Sequence, residues 1–400
     1  MSNTNNHPNS TNPTKICILG GGFGGLYTAL YLQAFREIKS SRYEVTLVDQ
    51  NDHLLFTPIL YEVITDELQV WEIAPQYKKL LSHTNFKIIQ DRVVGLDLKT
   101  RLVELSQGQL TYDYLVLGLG NKNRFAGVPG AEEYGLTFRS LKDTLRLKDR
   151  LQELAASAKE NIRVAVIGGG PSGVELATKI ADLLGKRADI RLVERGTQIL
   201  KAYTPATQRS GKEALEKRGV RISFETGVEK IEPHQVTLIQ KGETFTIPVD
   251  LVLWSAGTET QELIANLPCS HNERGQIITL PTLQISEYPE VLALGDLAEI
   301  KNPNGKLVPA TAQAAYQQAS RAANNLIASL KGKRLKRFCY LHLGEMITLG
   351  VNDAAVSSFG INLKGSLAAL VRRIVYLQRL PTFSHRWEVL LNWLGLKTNN

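Results

Sequence analysis

Cysteine is scarce in this chain: there are three in 400 residues, Cys17, Cys269 and Cys339, far apart and never as Cys-X-X-Cys. A vicinal dithiol relay is therefore excluded, the usage fits a reducing compartment, and no metal site is expected. An unbroken apolar run long enough to cross a membrane is missing too. The twenty uncharged residues from Ile16 to Phe35 include five glycines, which divide them into strand, turn and helix. Residues 1 to 14 hold no Lys or Arg and no apolar run, so they are expected to form a disordered tail and not a signal peptide. At 43% hydrophobic and 22% charged residues the composition is that of a globular protein, with length for two or three cored domains. Lys and Arg outnumber Asp and Glu by 47 to 39, a net +8 that suits anionic lipid or phosphorylated ligands. No nucleic-acid module accompanies that charge, and no nucleic-acid partner is expected.

What is present is glycine at telling positions. Ile162-Arg-Val-Ala-Val-Ile runs as a buried-type strand into Gly168, Gly170 and Gly173, a helix pattern follows, and Ile190-Arg-Leu-Val-Glu194 is a strand that ends in an acid. This is the pattern of a dinucleotide-binding βαβ unit. Gly168 makes the tight turn, Gly170 has no Cβ to hold a pyrophosphate off the backbone, and Gly173 lets the helix pack close to the strand. Glu194 can then accept hydrogen bonds from a ribose diol. A lone motif of this kind is weak, because a glycine-rich turn that binds nothing looks the same. Here the unit occurs twice: Lys15-Ile-Cys-Ile-Leu leads into Gly20, Gly22 and Gly25, and Glu44-Val-Thr-Leu-Val ends in Asp49. Each copy has a matching later strand, Asp113 to Asn121 and Asp250 to Thr258, in which the first Asp and the penultimate glycine, Gly120 or Gly257, coincide. An internal repeat implies two dinucleotides.

The copies are expected to be nested. Pro289-Glu-Val-Leu-Ala-Leu-Gly295-Asp296 has the form of a closing strand for the first copy, with a carboxylate at the carboxyl edge of a parallel sheet, where it can hydrogen-bond a ribityl hydroxyl; this suggests FAD. The fold class expected is α/β: two nested Rossmann-like domains and an amphipathic helical C-terminal region. The boundaries are a tail at 1–14, a discontinuous first domain at 15–145 and 259–335, a second at 146–258, and a C-terminal region at 336–400. The loop His53 to Glu62, with Thr57 and Pro58, could wall a flat ring, ordinary loop packing being the alternative.

These features resemble the type II NAD(P)H:quinone oxidoreductases. The resemblance rests on the Gly20 motif, Phe56-Thr57-Pro58, the Gly168 motif with Val174-Glu175-Leu176, Gly295-Asp296, and Ala312-Gln313-Ala-Ala-Tyr316-Gln317-Gln318-Ala319. The segment Asp66 to Ala74 and the basic tail are similar to the cyanobacterial and plastid branch that reduces demethylphylloquinone. The resemblance implies FAD at Gly20, Gly22, Gly25, Asp49, Thr57, Pro58, Gly295, Asp296, Ala312 and Gln313, and NAD(P)H at Gly168, Gly170, Gly173, Glu194 and Gly257. It implies catalytic roles for Glu175, Gln313 and Gln317. Gln313 and Gln317 are one helical turn apart, and their amides can donate to quinone carbonyls without adding charge; a helix former on a wet face is the plainer alternative. Glu175 either delivers protons or, with Ser172, makes a capping box. Glu194 disfavours a 2′-phosphate that Arg195 next to it could pair, so NADH and NADPH both stay open.

In the tail, helical spacing puts Leu367, Leu370, Val371, Ile374, Val375 and Leu377 on one face and Arg372, Arg373, Tyr376 and Arg379 on the other; Trp387, Leu390, Leu391 and Leu394 repeat the pattern. Such helices suit an anionic bilayer surface, while docking on the protein's own core or on a twin subunit, a homodimer, is the alternative. The expected protein is a non-proton-pumping enzyme, cytoplasmic and peripheral on the inner face of a thylakoid or plasma membrane. It would pass electrons from NAD(P)H through FAD to a membrane quinone, with demethylphylloquinone favoured. Respiratory reduction of plastoquinone or ubiquinone is the second reading, and a redox-sensing flavoprotein with little turnover the third.

Overall fold

The computed structural model describes residues 12–396. Of the tail expected at 1–14, residues 1–11 lie outside that range, and Thr14 already begins the first strand. In chain order the main strands are β1 (Thr14–Leu19), β2 (Tyr43–Asp49), β3 (Lys87–Gln90), β4 (Tyr114–Leu117), β5 (Ile162–Ile167), β6 (Ala188–Val193), β7 (Arg221–Ser223), β8 (Leu251–Trp254) and β9 (Val291–Ala293). The main helices are α1 (Gly25–Leu32), α2 (Leu141–Ala156), α3 (Pro171–Leu184), α4 (Pro205–Lys217), α5 (Ala312–Leu330), α6 (Ser366–Arg379) and α7 (Phe383–Trp393). By contact the chain forms two compact units: residues up to Leu54 with Gln76–Lys122 and Glu259–Tyr340, and Leu55–Pro75 with Asn123–Thr258 and the chain from Leu341 on.

The first unit is built on a parallel sheet in the order β9-β4-β1-β2-β3. Ile16, Cys17, Ile18 and Leu19 are all buried, as befits a central strand covered on both faces. β9 pairs with β4, Val291 opposite Leu115, so the apolar run before Gly295-Asp296 closes the sheet that β1 opens. α1 and α5 pack on each other, with the Tyr27 and Tyr316 rings edge to face at 4.8 Å.

The second unit repeats the plan, with a parallel sheet in the order β7-β6-β5-β8 and a two-residue strand, Gly135–Leu136, beyond β8. Pro171 begins α3, where its missing N–H leaves no bond unmade. The tail adds an antiparallel sheet of Glu345–Gly350, Asp353–Ser358 and Ile361–Gly365, on which α6 lies through Ala368 and Val371.

The faces of α6 do not separate as the spacing predicts: Val371, expected on the apolar face, packs on the sheet, and Arg372, expected at a cationic edge, is buried at 4% exposure, while Leu367, Leu370 and Ile374 are 59%, 55% and 47% exposed. Small Ala368 lets the helix sit close to the sheet, and Arg372 finds a buried carboxylate on that side; the long aliphatic side chains are left outward. α7 is tied to the segment Asp66 to Ala74. The carboxylate of Glu72 accepts from the Trp393 indole at 2.7 Å and from the Gln69 main-chain N–H at 2.5 Å, and His385 Nε2 lies 2.8 Å from the Glu72 carbonyl oxygen.

Candidate functional site

The two glycine turns are built alike. Gly20 and Gly168 take φ of +95° and +112°, and their N–H groups donate to Val48 and Val193, each at 2.8 Å. A Cβ on Gly25 would stand 1.8 Å from the Gly20 carbonyl oxygen, and one on Gly173 would stand 1.8 Å from that of Gly168. Only glycine permits so close a helix start in either unit. The middle glycines differ from these: a Cβ on Gly22 or Gly170 would meet nothing within 4 Å. Each turn therefore faces open space at the mouth of a helix, the place where a pyrophosphate lies.

The acids stand at these mouths. Asp49 Oδ2 accepts from the Gly21 N–H at 2.6 Å, and Glu194 Oε2 accepts from the Gly169 N–H at 2.6 Å. Glu194 Oε1 also accepts from the Gly196 N–H at 2.6 Å, which fixes the carboxylate while leaving lone pairs for ribose hydroxyls. Gly120 and Gly257, the matching glycines of the later strands, both have positive φ, +65° and +94°, and both face open space. Tyr77, which the sequence did not single out, is buried and donates to the Gly21 carbonyl oxygen at 3.0 Å, bracing the first turn.

At the edge of the first sheet Gly295 has φ +75° and Asp296 follows it in a short turn. Gln318 holds this turn: it is buried, and its Oε1 accepts from the Gly295 N–H at 2.8 Å. No local pattern in the sequence distinguishes Gln318 from Gln317. α5 starts at Ala312 behind the Thr311 cap, whose hydroxyl accepts from Ala314. Gln313 Oε1 accepts from the Tyr340 hydroxyl at 2.8 Å, which orients the amide with its nitrogen away from the tyrosine. Gln317 lines a cleft with Tyr31, Tyr316, Arg321 and Lys336; Gln313 is not among its walls.

In the second unit Thr57 and Pro58 form a short turn, Thr57–Ile59. Glu175 is 7% exposed on α3. The capping box does not form: Gly170 is the cap residue, the Ser172 hydroxyl accepts from Tyr61 at 2.9 Å, and Glu175 Oε1 accepts from the Thr348 main-chain N–H at 3.1 Å. Ser172 lies inside the helix, not ahead of it, so Glu175 is too far along to reach back. Burial pushes the Glu175 carboxyl up to about 7, against the pull of Arg372 and the Thr348 N–H. Glu62 lies in the same cluster. Burial raises its carboxyl, yet Arg372 and Lys179 outweigh burial and keep it below the ordinary glutamate range.

Two open glycine cradles, each with an acid bonded to its turn, are the geometry of a protein class that binds two dinucleotides. A pyridine nucleotide-disulphide oxidoreductase family model matches residues 14–319. The chain is 43% identical to the demethylphylloquinone reductase NdbB of Synechocystis sp., over 95% of each chain. It is 35% identical to the alternative NAD(P)H-ubiquinone oxidoreductase C1, chloroplastic/mitochondrial, of Arabidopsis thaliana, over 97% of this chain and 82% of that one. Its fold is that of the Plasmodium falciparum NDH2 structure in complex with NADH, with a TM-score of 0.84, 19% identity, and coverage of 97% and 100%. The chain belongs to the pyridine nucleotide-disulphide oxidoreductase family, and within it stands with the type II NAD(P)H:quinone oxidoreductases.

Proposed function

We propose that the protein is an FAD-dependent NAD(P)H:quinone oxidoreductase whose acceptor is a membrane naphthoquinone of the demethylphylloquinone kind. The duplicated cradle with its acid carries the dinucleotide part of this reading. The quinone follows from the relatives, one named for demethylphylloquinone and one for ubiquinone. A bound FAD would supply the redox chemistry, two-electron transfer between a reduced nicotinamide and a quinone. Gly20, Gly22, Gly25, Asp49, Gly295, Asp296, Ala312 and Gln313 bind FAD; Gly168, Gly170, Gly173, Glu194 and Gly257 bind NAD(P)H. Gln313, its oxygen held by Tyr340, presents Nε2 as a donor to a quinone carbonyl. The N-terminus of the nineteen-residue α5 favours negative charge near it. Glu175 holds a proton on its buried carboxyl below about pH 7 and gives it up above.

Among the described residues no helix is long and apolar enough to cross a membrane. The outward residues of α6 and α7, Leu367, Leu370, Ile374, Phe383 and Trp387, are all largely exposed and suit insertion into the headgroup region of an anionic bilayer. The protein then sits as a peripheral enzyme on the cytoplasmic face of a thylakoid or plasma membrane.

The test is an anaerobic one. Purified holoenzyme is mixed with NADH or NADPH, flavin bleaching is followed, and analogues of demethylnaphthoquinone, plastoquinone or ubiquinone are added to time its recovery. Quickest recovery with the demethylnaphthoquinone is expected. Equal or faster recovery with plastoquinone or ubiquinone would favour the respiratory reading; ubiquinone is the acceptor in the Arabidopsis relative's name. Bleaching that no quinone reverses would overturn both and leave a redox sensor.

A further inference from the structure

Arg372 is a cation drawn from the tail into the buried interior of the second unit. Its Nη1 donates to Glu62 Oε1, its Nη2 donates to the Pro58 carbonyl oxygen at 2.5 Å, and Nη2 lies 3.9 Å from Glu175 Oε1. Arg372, Glu62 and Glu175 are 4%, 5% and 7% exposed. One guanidinium thus stands between two buried carboxylates, bonded to one and within Coulomb reach of the other. The cluster is not fully satisfied: Glu62 Oε2 and Arg372 Nε have no hydrogen-bond partner among the described residues. An incompletely bonded network of this kind depends on whatever holds its members in place. What holds Arg372 is α6, whose opposite side presents Leu367, Leu370 and Ile374 outward.

We propose that Arg372 is a positioning residue shared by Glu62 and Glu175, and that through it the tail helix, seated on a bilayer by its outward apolar face, sets where the Glu175 carboxyl stands. The proposal rests on the reading of Glu175 as the group that handles the proton. A helix turns as a body, so a contact that fixes Leu370 also fixes Arg372 two residues on. Loosening that contact lets the guanidinium drift from Glu175 and changes the field at its carboxyl. The other ionisable groups facing Glu175 are Tyr61 from the Leu55–Pro75 segment, Tyr203 ahead of α4, and Tyr376 one turn along α6. Lys179, one turn on from Glu175, is engaged by Glu67. None of these tyrosines ionises near neutrality, because burial raises all three, which leaves Glu62 and Arg372 as the charges that decide the site.

The test is the pH profile of kcat/KM for a water-soluble naphthoquinone at saturating NADH, measured on holoenzyme with flavin content and Tm as controls. Arg372→Met removes the cation and should move the profile to higher pH. Glu62→Gln removes a repelling carboxylate and leaves Arg372 to Glu175 alone, so it should move the profile to lower pH. Opposite shifts of about one unit each are expected, with Arg372→Lys restoring most of the wild-type profile. A structural ion pair would alter Tm without separating the two directions. Should Arg372→Met fail to fold, Glu62→Gln and the double variant, which removes the Arg372–Glu62 pair together and so does not strand Glu62 without its cation, carry the test. Phosphatidylglycerol vesicles should move the wild-type profile but not that of the double variant. Unmoved profiles, or shifts in one direction, would overturn the proposal, as would vesicles that move both proteins equally. Glu175→Gln separates the two levels: if it leaves the profile intact, the role of Glu175 fails, whereas if it abolishes the profile's limb while the other variants leave it in place, only the role of Arg372 fails.

Discussion

Arg163 grips Asp250 with its main chain and its side chain at once. Its main-chain N–H donates to Oδ2 at 2.9 Å, Nε to Oδ2 at 3.1 Å and Nη2 to Oδ1 at 2.9 Å, with Lys159 adding a bond to Oδ1 at 2.6 Å. The first unit has the main-chain half of this arrangement, where the Lys15 N–H donates to Asp113 Oδ2 at 2.7 Å. The Asp that coincides in the two repeats is thus a clamp joining the ends of the neighbouring strands. Arg163 and Lys159 outweigh burial and hold the Asp250 carboxyl well below its usual range. Its folded value is depressed, so its stabilisation is present above the unfolded value of about 4 and is lost as pH falls below that. Asp250→Asn should cost about 2 to 4 kcal/mol at pH 7, and less at pH 3, by denaturant titration.

Gly170 and Gly173 should respond differently to the same added methyl. Gly173→Ala drives a Cβ to 1.8 Å from a carbonyl oxygen and should yield insoluble or much destabilised protein. Gly170→Ala has open space, so Tm and flavin content should hold while KM for the nicotinamide rises about tenfold or more. An unchanged KM would remove the pyrophosphate from that turn.

Glu194 is tied by two amides and cannot easily swing aside from a 2′-phosphate. Glu194→Ser should raise the NADPH to NADH ratio of kcat/KM by tenfold or more, on the order of 1 to 2 kcal/mol. Arg195 is exposed beside it and is available to the phosphate once the acid is gone.

Glu175→Gln keeps shape and removes the titrating proton. Quinone-dependent turnover should fall about a hundredfold, as for loss of a general acid, while flavin content and nicotinamide-dependent bleaching are retained. Unchanged turnover would assign the residue a purely structural part.

The outward face of α6 is the place to test membrane attachment. Cutting the tail off would also remove Arg372 from the interior, so substitution is the cleaner experiment. Leu367→Glu, Leu370→Glu and Ile374→Glu together should preserve Tm and abolish sedimentation with anionic vesicles, since each buried side chain of this size is worth about 1.5 to 3 kcal/mol. Continued sedimentation would place the contact elsewhere.

The sequence by itself determined the twin cradles, because a tight turn, a close approach and a short helix-to-strand distance each demand glycine at one spacing, and an acid at the strand end completes the unit. It also revealed the closing strand before Gly295, since that is a local pattern. It did not disclose which face of α6 turns inward: Arg372 is drawn in by Glu62, 310 residues away, and no local pattern encodes a partner at that distance. For the same reason the roles of Gln318, Tyr340 and Tyr77 had no local signature. Local sequence chooses elements and turns; the burial of one charge against another is settled only when the chain closes on itself.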